Sequence, residues 1–564
     1  MRTSASLLLT LLVSACTQEP APQASADVVI LGAAIDTVNP AQARASALAI
    51  RNGKIAYVGD DTHAQSWIGP KTRVVKLQGA SVWPGLIDSH IHLMEGALTL
   101  EDCSFADVQL TLAQAEPIIH DCAARKPTDA WLLIQNLNAA DFHADRKALD
   151  AIVRDRPLFL YSTDGHVAWV NSVALARAGI DRKTPDPGRG RIERDRQGEP
   201  TGFLVDSAVG LVSDHFEKPS PERRERLLLS ALHELAAAGI TSFMEANTSA
   251  ETVRTYVEIA RKNQLHARVS MALASEGENT DEEFKRLKAL RTLAESQPPL
   301  RANLIKLFND GVLEFPTQSA AMLDPYLDAK GRPTKNRGPL YHEAGPLSEF
   351  VQRADKEGFG VHIHAIGDRA VRVALDAFAD ARGNGSKRPY SIAHLELIDP
   401  RDIPRFRELN VVASLQLLWA QPDNYSVDAV LPYIGPERHS RLYPAHSLIE
   451  GGATVAGGSD WNVSSFNPFE ATAVAVSRIN PTHPERGVLD PEQRVTLRDM
   501  LLAYTLNAAH LMGRDSETGS LEVGKSADVI VLDRTLNDAS TAADIRATKI
   551  VYTFANGTMQ IGPN

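Results

Sequence analysis

The sequence contains little cysteine, with 3 in 564 residues, and it has no long block of like charge. No Lys/Arg stripe is interleaved with aromatic residues, which excludes nucleic acid as the main partner. Internal repeats are absent, and the one low-complexity tract is a short segment near the N-terminus. The formal net charge of −11 favours solubility, and an apolar content of 43% is enough to bury a large core.

The first apolar run, residues 7–13, follows Arg2 and is too short to span a bilayer as a helix. Such a run is typical of the hydrophobic region of a signal peptide. It ends in Val13-Ser14-Ala15-Cys16, which resembles a bacterial lipobox, so we expect cleavage before Cys16 and lipidation of its thiol. The alternative is a plain secretory signal in which the cysteine is incidental. Residues 1–15 are excluded from the predicted fold.

The residue after the lipidation site carries a sorting signal. Thr17 stands there, and because no aspartate follows Cys16 the segment resembles lipoproteins sorted to the outer membrane. Residues 16–26 predict a flexible tether. We therefore expect a bacterial cell-envelope protein, anchored to the membrane by its lipid at the periplasmic face of the outer membrane.

Cys103 and Cys122 are the two cysteines left after the lipidation site. In an oxidising compartment thiols tend to pair, and these two lie in one local segment. The sequence does not show their geometry, so a short-loop disulfide and two free thiols both stay open. Neither cysteine resembles a metal ligand.

Both ends of the chain carry short β-runs broken by turns. Asn52-Gly53 is a hairpin signal in residues 27–83, and Asn556-Gly557 is another in residues 519–564. Neither end alone has enough strands for a closed core. We predict that the two ends pair into one composite β-sandwich.

The segment between them, residues 84–518, alternates apolar strand-like runs with amphipathic helices, which is typical of a parallel α/β sheet. Eight such units predict a (β/α)8 TIM-like barrel. Because such a barrel typically takes ~250 residues, the extra length predicts insertions. Residues 185–206, which include Gly188, Gly190 and Gly198 and a charged turn, predict an inserted hairpin or flap. It is either a lid over the site or a surface decoration.

The apolar run that starts at Trp83 ends in His90-Ile91-His92. Alternate side chains of a β-strand share a face, so the two imidazoles would project together while Ile91 turns into the packing. Two imidazoles at a strand end can hold one metal ion. The alternative is a pair of ordinary strand histidines, because a His-x-His motif is short.

Further metal-ligand residue types recur at the ends of later predicted barrel strands. They are Lys306, His364, His394 and Asp460. Barrel active sites lie at the C-terminal ends of the strands, so ligands from several strands converge there. Position at a strand end therefore matters more than spacing along the chain.

The order His-x-His, Lys, His, His, Asp resembles that of the amidohydrolase superfamily, and the surrounding motifs resemble its YtcJ-like (amidohydrolase 3) branch. The resemblance covers essentially the whole mature chain. The motifs are Pro84-Gly85-Leu86-Ile87-Asp88-Ser89-His90-Ile91-His92, Asp164-Gly165-His166, Ile305-Lys306-Leu307-Phe308, His364-Ala365-Ile366-Gly367-Asp368, Ala393-His394, Ser459-Asp460-Trp461 and Gly519-Ser520-Leu521-Glu522-Val523-Gly524.

The resemblance implies a ligand set. His90 and His92 would hold the more buried metal, and His364 and His394 would hold the second. Asp460 would reach the first metal and the attacking water. We expect Zn2+, as one or two ions, with Mn2+ or Fe2+ as alternatives.

Lys306 stands where many superfamily members carry a carboxylated lysine that bridges two ions. A neutral lysine amine can take up CO2 and become an anionic oxygen ligand, whereas an unmodified lysine would place a cation beside the metal. We therefore expect a binuclear site with carboxylated Lys306. A mononuclear site with a structural lysine is the alternative.

Five further residues in or between these motifs are candidates for supporting roles. His166 would bind or polarise the substrate, or else cap backbone groups in its loop. Asp310 and Asp368 are expected to orient neighbouring groups rather than bind metal. Trp461 would form a pocket wall, or pack in the core. His362 shares a face with His364, but the resemblance assigns the ligand position to His364.

These groups predict a mechanism in which the metal activates a water and polarises a carbonyl. Asp460 would accept the water's proton and pass it to the leaving nitrogen, with His166 as a second catalytic candidate. We expect hydrolysis of a C–N amide bond in a small molecule such as an N-acyl amine, an N-formyl amine, an acylated amino acid or a dipeptide. A lactone or ester hydrolase and a non-catalytic metal-binding lipoprotein are the alternatives. A homo-oligomer is compatible with the sequence.

Overall fold

The protein is described by a computed structural model that covers residues 25–139 and 142–563. The predicted signal peptide, the lipidation site Cys16 and most of the 16–26 tether lie outside the described residues. Among the helices of the described part, none combines the length and apolarity needed to cross a membrane.

The strands of the described chain fall into four sheets. In chain order they are β1 (Val28–Leu31), β2 (Ala34–Asp36), β3 (Arg44–Ala45), β4 (Ala47–Arg51), β5 (Lys54–Gly59), β6 (Arg73–Lys76), β7 (Ser81–Pro84), β8 (Leu86–Ile91), β9 (Cys103–Ser104), β10 (Leu132–Leu137), β11 (Leu158–Ser162), β12 (Val167–Val170), β13 (Gly190–Arg194), β14 (Pro200–Asp206), β15 (Ile240–Thr248), β16 (Arg268–Ala274), β17 (Leu300–Phe308), β18 (Gly360–Ala365), β19 (Tyr390–His394), β20 (Val411–Leu415), β21 (Val455–Gly457), β22 (Val529–Leu532), β23 (Ile550–Ala555) and β24 (Thr558–Ile561).

Helices alternate with these strands through most of the chain. In chain order they are α1 (Asp61–Ala64), α2 (Leu93–Thr99), α3 (Leu112–Arg125), α4 (Arg146–Ile152), α5 (Ser172–Arg177), α6 (Ser207–Ser213), α7 (Pro221–Ala237), α8 (Ala250–Arg261), α9 (Asp281–Ala294), α10 (Ala344–Lys356), α11 (Asp368–Gly383), α12 (Ile403–Glu408), α13 (Leu431–Ile434), α14 (Pro436–His439), α15 (Ala445–Glu450), α16 (Pro468–Ser477), α17 (Leu497–Ala503), α18 (Leu506–Leu511) and α19 (Ala542–Arg546).

The central sheet is a barrel of eight parallel strands, β8 followed in order by β15 to β21. Its two edge strands meet just beyond their ends. The N–H of Asp460 donates to the carbonyl of His90 at 2.8 Å, and the N–H of His92 donates to the carbonyl of Trp461 at 2.7 Å. The predicted (β/α)8 fold class is confirmed.

Helix α7 illustrates how the sequence predicts the alternation of helices and strands. The Ser220 side chain caps it by accepting a hydrogen bond from the N–H of Arg223, and a proline occupies its first turn. Leu228 and Leu235 are buried on one face. Gly239 ends the helix with φ +81°, a conformation that disfavours side chains, and β15 begins at the next residue.

The two ends of the chain share one β-structure, as the sequence predicts. Strand β22 pairs antiparallel with β7, so that Ile530 lies opposite Trp83. The resulting six-stranded sheet, in the order β24, β23, β22, β7, β2, β3, packs against a four-stranded sheet of β5, β4, β1 and β6. Buried residues from both ends, including Ile30 and Phe554, form one cluster between them.

The insertion differs in extent from the predicted flap at residues 185–206. That hairpin exists as β13 and β14, but it forms the edge of a six-stranded sheet in the order β13, β14, β12, β11, β10, β9. The sheet has its own buried cluster, which includes Phe142 and Trp169. The insertion therefore spans β9 to β14 and is a packed subdomain between β8 and β15.

Cys103 and Cys122 form a disulfide within this subdomain, with their Cα atoms 6.0 Å apart. The bond joins β9 to α3, and both cysteines are buried. Of the two pairing states left open by the sequence, the structure has the bridged one.

Candidate metal centre

The predicted ligands lie at the C-terminal ends of barrel strands. His90 is on β8, His92 directly follows that strand, and Asp460 follows β21. Asp460 Oδ1 lies 3.3 Å from His90 Nε2 and 3.1 Å from His92 Nε2. All three donor atoms lie within 4.8 Å of one another, close enough to hold one ion. Two imidazoles and a carboxylate form a donor set that suits Zn2+.

The backbone that carries Asp460 is held against β8 by a buried carboxylate. Asp88 Oδ1 accepts hydrogen bonds from the N–H groups of His90 at 3.0 Å and Ser459 at 3.1 Å. Gly458 approaches β8 so closely that a Cβ on it would lie 2.8 Å from the Cβ of His90. Glycine at this position lets β21 and β8 come together.

His362 fixes the orientation of His90. Its Nε2 lies 2.7 Å from His90 Nδ1, and its Nδ1 lies 2.7 Å from the Ser391 hydroxyl. His90 is thereby left with Nε2 facing Asp460. Burial, followed by the charge of Lys306, lowers the pKa of His90 to about 3, so the imidazole is in the neutral, metal-binding form.

Lys306 is fully buried at the end of β17. Its Nζ lies 3.2 Å from His90 Nε2 and 4.6 Å from the centre of the Phe308 ring. Burial lowers its pKa to about 7, which leaves a large fraction of the amine unprotonated near neutrality. A neutral amine is the form that can react with CO2.

His364 and His394 lie beside the three-donor group. Their ring centroids are 4.4 Å apart, and the centroid of His394 is 4.9 Å from that of His90. His364 Nε2 lies 3.1 Å from the carbonyl oxygen of Gly311, which can only accept, so Nε2 carries the proton and Nδ1 stays free for a ligand. A second ion here would need one more anionic ligand, which is the role that the resemblance assigns to carboxylated Lys306.

Two buried atoms in this cluster have no hydrogen-bond partner in the described chain. They are Asp460 Oδ1 and His394 Nδ1. Buried polar atoms are normally satisfied, so two unpaired atoms on metal-binding residue types fit a bound cation. The residues present therefore fit the metal that the donor set implies.

The insertion brings His166 to the same cavity. His166 Nδ1 lies 2.7 Å from Asp206 Oδ1, and its ring centroid is 5.8 Å from that of His364. Burial opposes protonation of His166, but the hydrogen bond and the charge of Asp206 raise its pKa to about 9. His166 is thus a cationic donor that faces the metal-ligand cluster.

Asp310 and Asp368 organise the chain behind His364. Asp310 is fully buried and accepts hydrogen bonds from the N–H groups of Ala321, Ile366 and Gly367 at 2.9 to 3.0 Å. Asp368 accepts from the N–H of Leu323 at 2.7 Å. Both contacts are to the backbone, as expected for residues that orient their neighbours.

A cavity of about 680 Å³ opens from the metal-ligand cluster. Both the barrel and the insertion line it. Trp461 forms part of its wall, where it lies edge-on to Phe466, and Trp419 stacks on His394 with ring centroids 5.7 Å apart. The volume suits a small organic molecule.

Sequence reasoning missed Asp206 and the role of His362. Asp206 is the last residue of β14 and lies 40 residues after His166 in the sequence. The pairing of β12 with β14 brings the two side chains together. His362 lies two residues before His364, and alternate side chains of a strand share a face. That spacing was the feature of the sequence that placed His362 beside the predicted ligands.

Comparison with known proteins agrees with this geometry. Residues 73–559 match the model of the amidohydrolase family. An N-substituted formamide deformylase of Arthrobacter pascens is 27% identical over 95% of this chain and 98% of that protein. The putative amidohydrolase YtcJ of Bacillus subtilis is 27% identical over 87% of this chain and 91% of that protein.

A solved structure shares the architecture. The uncharacterized metal-dependent hydrolase of Pyrococcus furiosus is 25% identical, with a TM-score of 0.69 over 90% of this chain and 99% of that one. The chain thus belongs to the amidohydrolase superfamily, in its YtcJ-like branch, and is a metal-dependent hydrolase that acts on carbon–nitrogen bonds.

Proposed function

We propose that the protein hydrolyses the amide bond of a small N-acyl or N-formyl amine. The observation that carries this proposal is the buried group of His90, His92 and Asp460, with Asp460 Oδ1 lacking any hydrogen-bond partner in the described chain. The similarity to an N-substituted formamide deformylase supports the acyl-amine substrate class.

Zn2+ held by His90, His92 and Asp460 would supply Lewis-acid chemistry, lowering the pKa of a water and polarising a carbonyl. Asp460 then accepts the proton of the attacking water and returns it to the leaving nitrogen, which departs as the amine. His166, held by Asp206, donates a hydrogen bond through Nε2 to the substrate oxygen as negative charge develops on it.

The test is a panel of N-formyl amines, N-acetyl amino acids, dipeptides, lactones and esters, assayed with zinc-loaded and manganese-loaded protein. We expect turnover of acyl amides and a loss of about 10²- to 10⁴-fold in Asp460→Asn. Asp538→Asn is the matched control, because Asp538 is exposed and far along the chain from the site. Equal turnover by Asp460→Asn would remove the assigned base.

The same panel separates the competing functions. Turnover confined to lactones and esters would assign an esterase to this site. No turnover of any compound by metal-loaded protein would favour a non-catalytic scaffold.

We also propose a binuclear centre with carboxylated Lys306. Its support is the fully buried lysine with an amine pKa near 7, placed 3.2 Å from His90 Nε2. Native mass spectrometry with bicarbonate present should show two ions and one added CO2 for each chain. One ion and an unmodified lysine would favour the mononuclear alternative.

The protein is further proposed to be a lipoprotein of the periplasmic face of the outer membrane, anchored through Cys16. Support comes from the sequence around Cys16. Labelled fatty acid should enter the wild-type chain and not Cys16→Ser, and membrane fractionation should release that variant. Retention of Cys16→Ser in the membrane would contradict the anchor.

A further inference from the structure

The wall of the cavity outside the metal-ligand cluster is acidic. The carboxylates that line it come from helix α2, from the insertion and from loops after three barrel strands: Glu95, Asp107, Asp164, Glu314, Glu396 and Asp423. Among the cavity-lining residues of the described chain, the single lysine or arginine is Lys306, which lies beside His90. The wall therefore carries more carboxylates than cationic side chains, since apart from Lys306 the charged base on it is His166.

Most of these carboxylates accept hydrogen bonds from other groups of the chain. Asp107 accepts hydrogen bonds from the Tyr425 hydroxyl at 2.6 Å and the Thr163 hydroxyl at 2.8 Å. Asp423 accepts from the N–H of Ser426 at 2.8 Å. These contacts hold the wall in place and do not call for a ligand.

Glu314 is different. Its Oε2 is buried and accepts no hydrogen bond within the described chain, and the same is true of Gln421 Oε1 on the same cavity wall. Burial, followed by the charge of Asp164, raises the pKa of Glu314 to about 7. A buried acceptor left unpaired is costly, so two of them on residues that line one cavity favour a donor that the chain does not supply.

We propose that this wall binds a second, cationic nitrogen of the substrate, an ammonium or amidinium group, with Glu314 as its main acceptor. An ammonium offers three N–H donors and a positive charge that complements the excess of carboxylates. Trp419 and Tyr443 also line the cavity, so aromatic side chains, which attract cations, are part of the same wall.

The inference rests on the proposed function and narrows its substrate class. The substrate would be an acylated diamine or a comparable acyl amine with a basic group, its amide at the metal-ligand cluster and its cation at Glu314. Neutral acyl amines would lack the partner for the buried carboxylate.

The test compares two substrates of equal length, N-formyl-1,4-diaminobutane and N-formylpentylamine, in which a methyl group replaces the ammonium. With zinc-loaded full chain we expect kcat/KM to favour the diamine by at least about tenfold, as for a hydrogen bond to a charged group. Glu314→Gln should reduce that ratio to about threefold or less. Glu349→Gln, an exposed change of the same kind, should leave the ratio as in the wild type.

A wild-type ratio near one, or an undiminished ratio in Glu314→Gln, would overturn the inference while leaving the proposed function intact. Turnover of neither compound nor of any amide in the panel would instead overturn the proposed function. In that case calorimetric titration with N-formyl-1,4-diaminobutane decides the inference. Binding that Glu314→Gln weakens by about tenfold supports it, and absence of binding, or equal binding of N-formylpentylamine, rejects it.

Discussion

At the scale of single residues, the site depends on how each imidazole is held. His362 fixes His90 through one nitrogen, and the Gly311 carbonyl fixes His364 through another. Asp206 does the same for His166. In each pair the partner determines which nitrogen faces the cavity, so these partners matter as much as the ligands.

Asp206→Asn should lower activity and change its pH dependence. In the wild type His166 loses its proton near pH 9, so we expect activity to fall above that pH. Without the carboxylate the pKa of His166 should drop, and the alkaline limb of the kcat profile should move to lower pH. Metal content should stay at the wild-type value.

The His166–Asp206 pair should also stabilise the folded protein, by an amount that decreases as the pH rises. Because the folded pKa of His166 is raised from 6.5 to about 9, its stabilisation is fully present below pH 6.5 and is lost as pH rises through 9. The gap in unfolding free energy between wild type and Asp206→Asn should shrink across that range, from an upper bound of about 3 kcal/mol. A gap that does not change with pH would contradict the assigned ion pair. Asp214→Asn, an exposed change, is the control.

At the scale of elements, the alternation of apolar runs and amphipathic helices predicts the barrel, but the local pattern does not identify every one of its strands. β16 contains the buried polar residues Arg268 and Ser270, which interrupt its apolar pattern. Its polar residues have tertiary partners, since Arg514 donates to the Ser270 hydroxyl. Local pattern alone could not reveal those partners.

The insertion shows a second limit of the same kind. Strands such as β11 and β12 have the apolar character of barrel strands, and their local sequence does not determine which sheet they join. Sheet membership is set by pairing between segments far apart in the chain. The hairpin at residues 185–206 could be predicted because the residues that form its turn are adjacent in the sequence.

Loss of the Cys103–Cys122 bond should loosen the insertion more than the barrel. The bridge closes a separation of 19 residues, for which we expect ~3 kcal/mol of stabilisation. The Cys103→Ser, Cys122→Ser double variant should show early protease cleavage within the insertion while barrel peptides stay protected. Equal protection of both parts would argue against a structural role for the bond.

At the scale of the whole molecule, the β-sandwich and the barrel are joined through Asp528. Its side chain is 1% exposed and pairs with Arg268 at the start of β16, and it accepts from the Thr518 hydroxyl at 2.7 Å and the Asn556 N–H at 2.8 Å. One carboxylate thus connects the first residue of a barrel strand to Thr518, at the end of the barrel segment, and to Asn556 in the sandwich.

Asp528→Ala should destabilise the protein by ~3–5 kcal/mol, because it leaves the buried Arg268 without its partner. Chemical denaturation of the metal-loaded full chain measures this. Asp538→Ala, exposed on the same C-terminal segment, should change stability by less than about 0.5 kcal/mol. A similar small effect from Asp528→Ala would show that the two parts do not depend on this contact.

The proposed metal centre joins side chains that lie far apart in the sequence at one mouth of the barrel, and the metal content of the protein tests this arrangement. Elemental analysis after dialysis against zinc should give at least one ion per chain in the wild type and in His233→Gln, an exposed control. His92→Ala should hold about one ion fewer. A wild-type chain that retains no metal, or a His92→Ala chain that retains the full amount, would contradict the account.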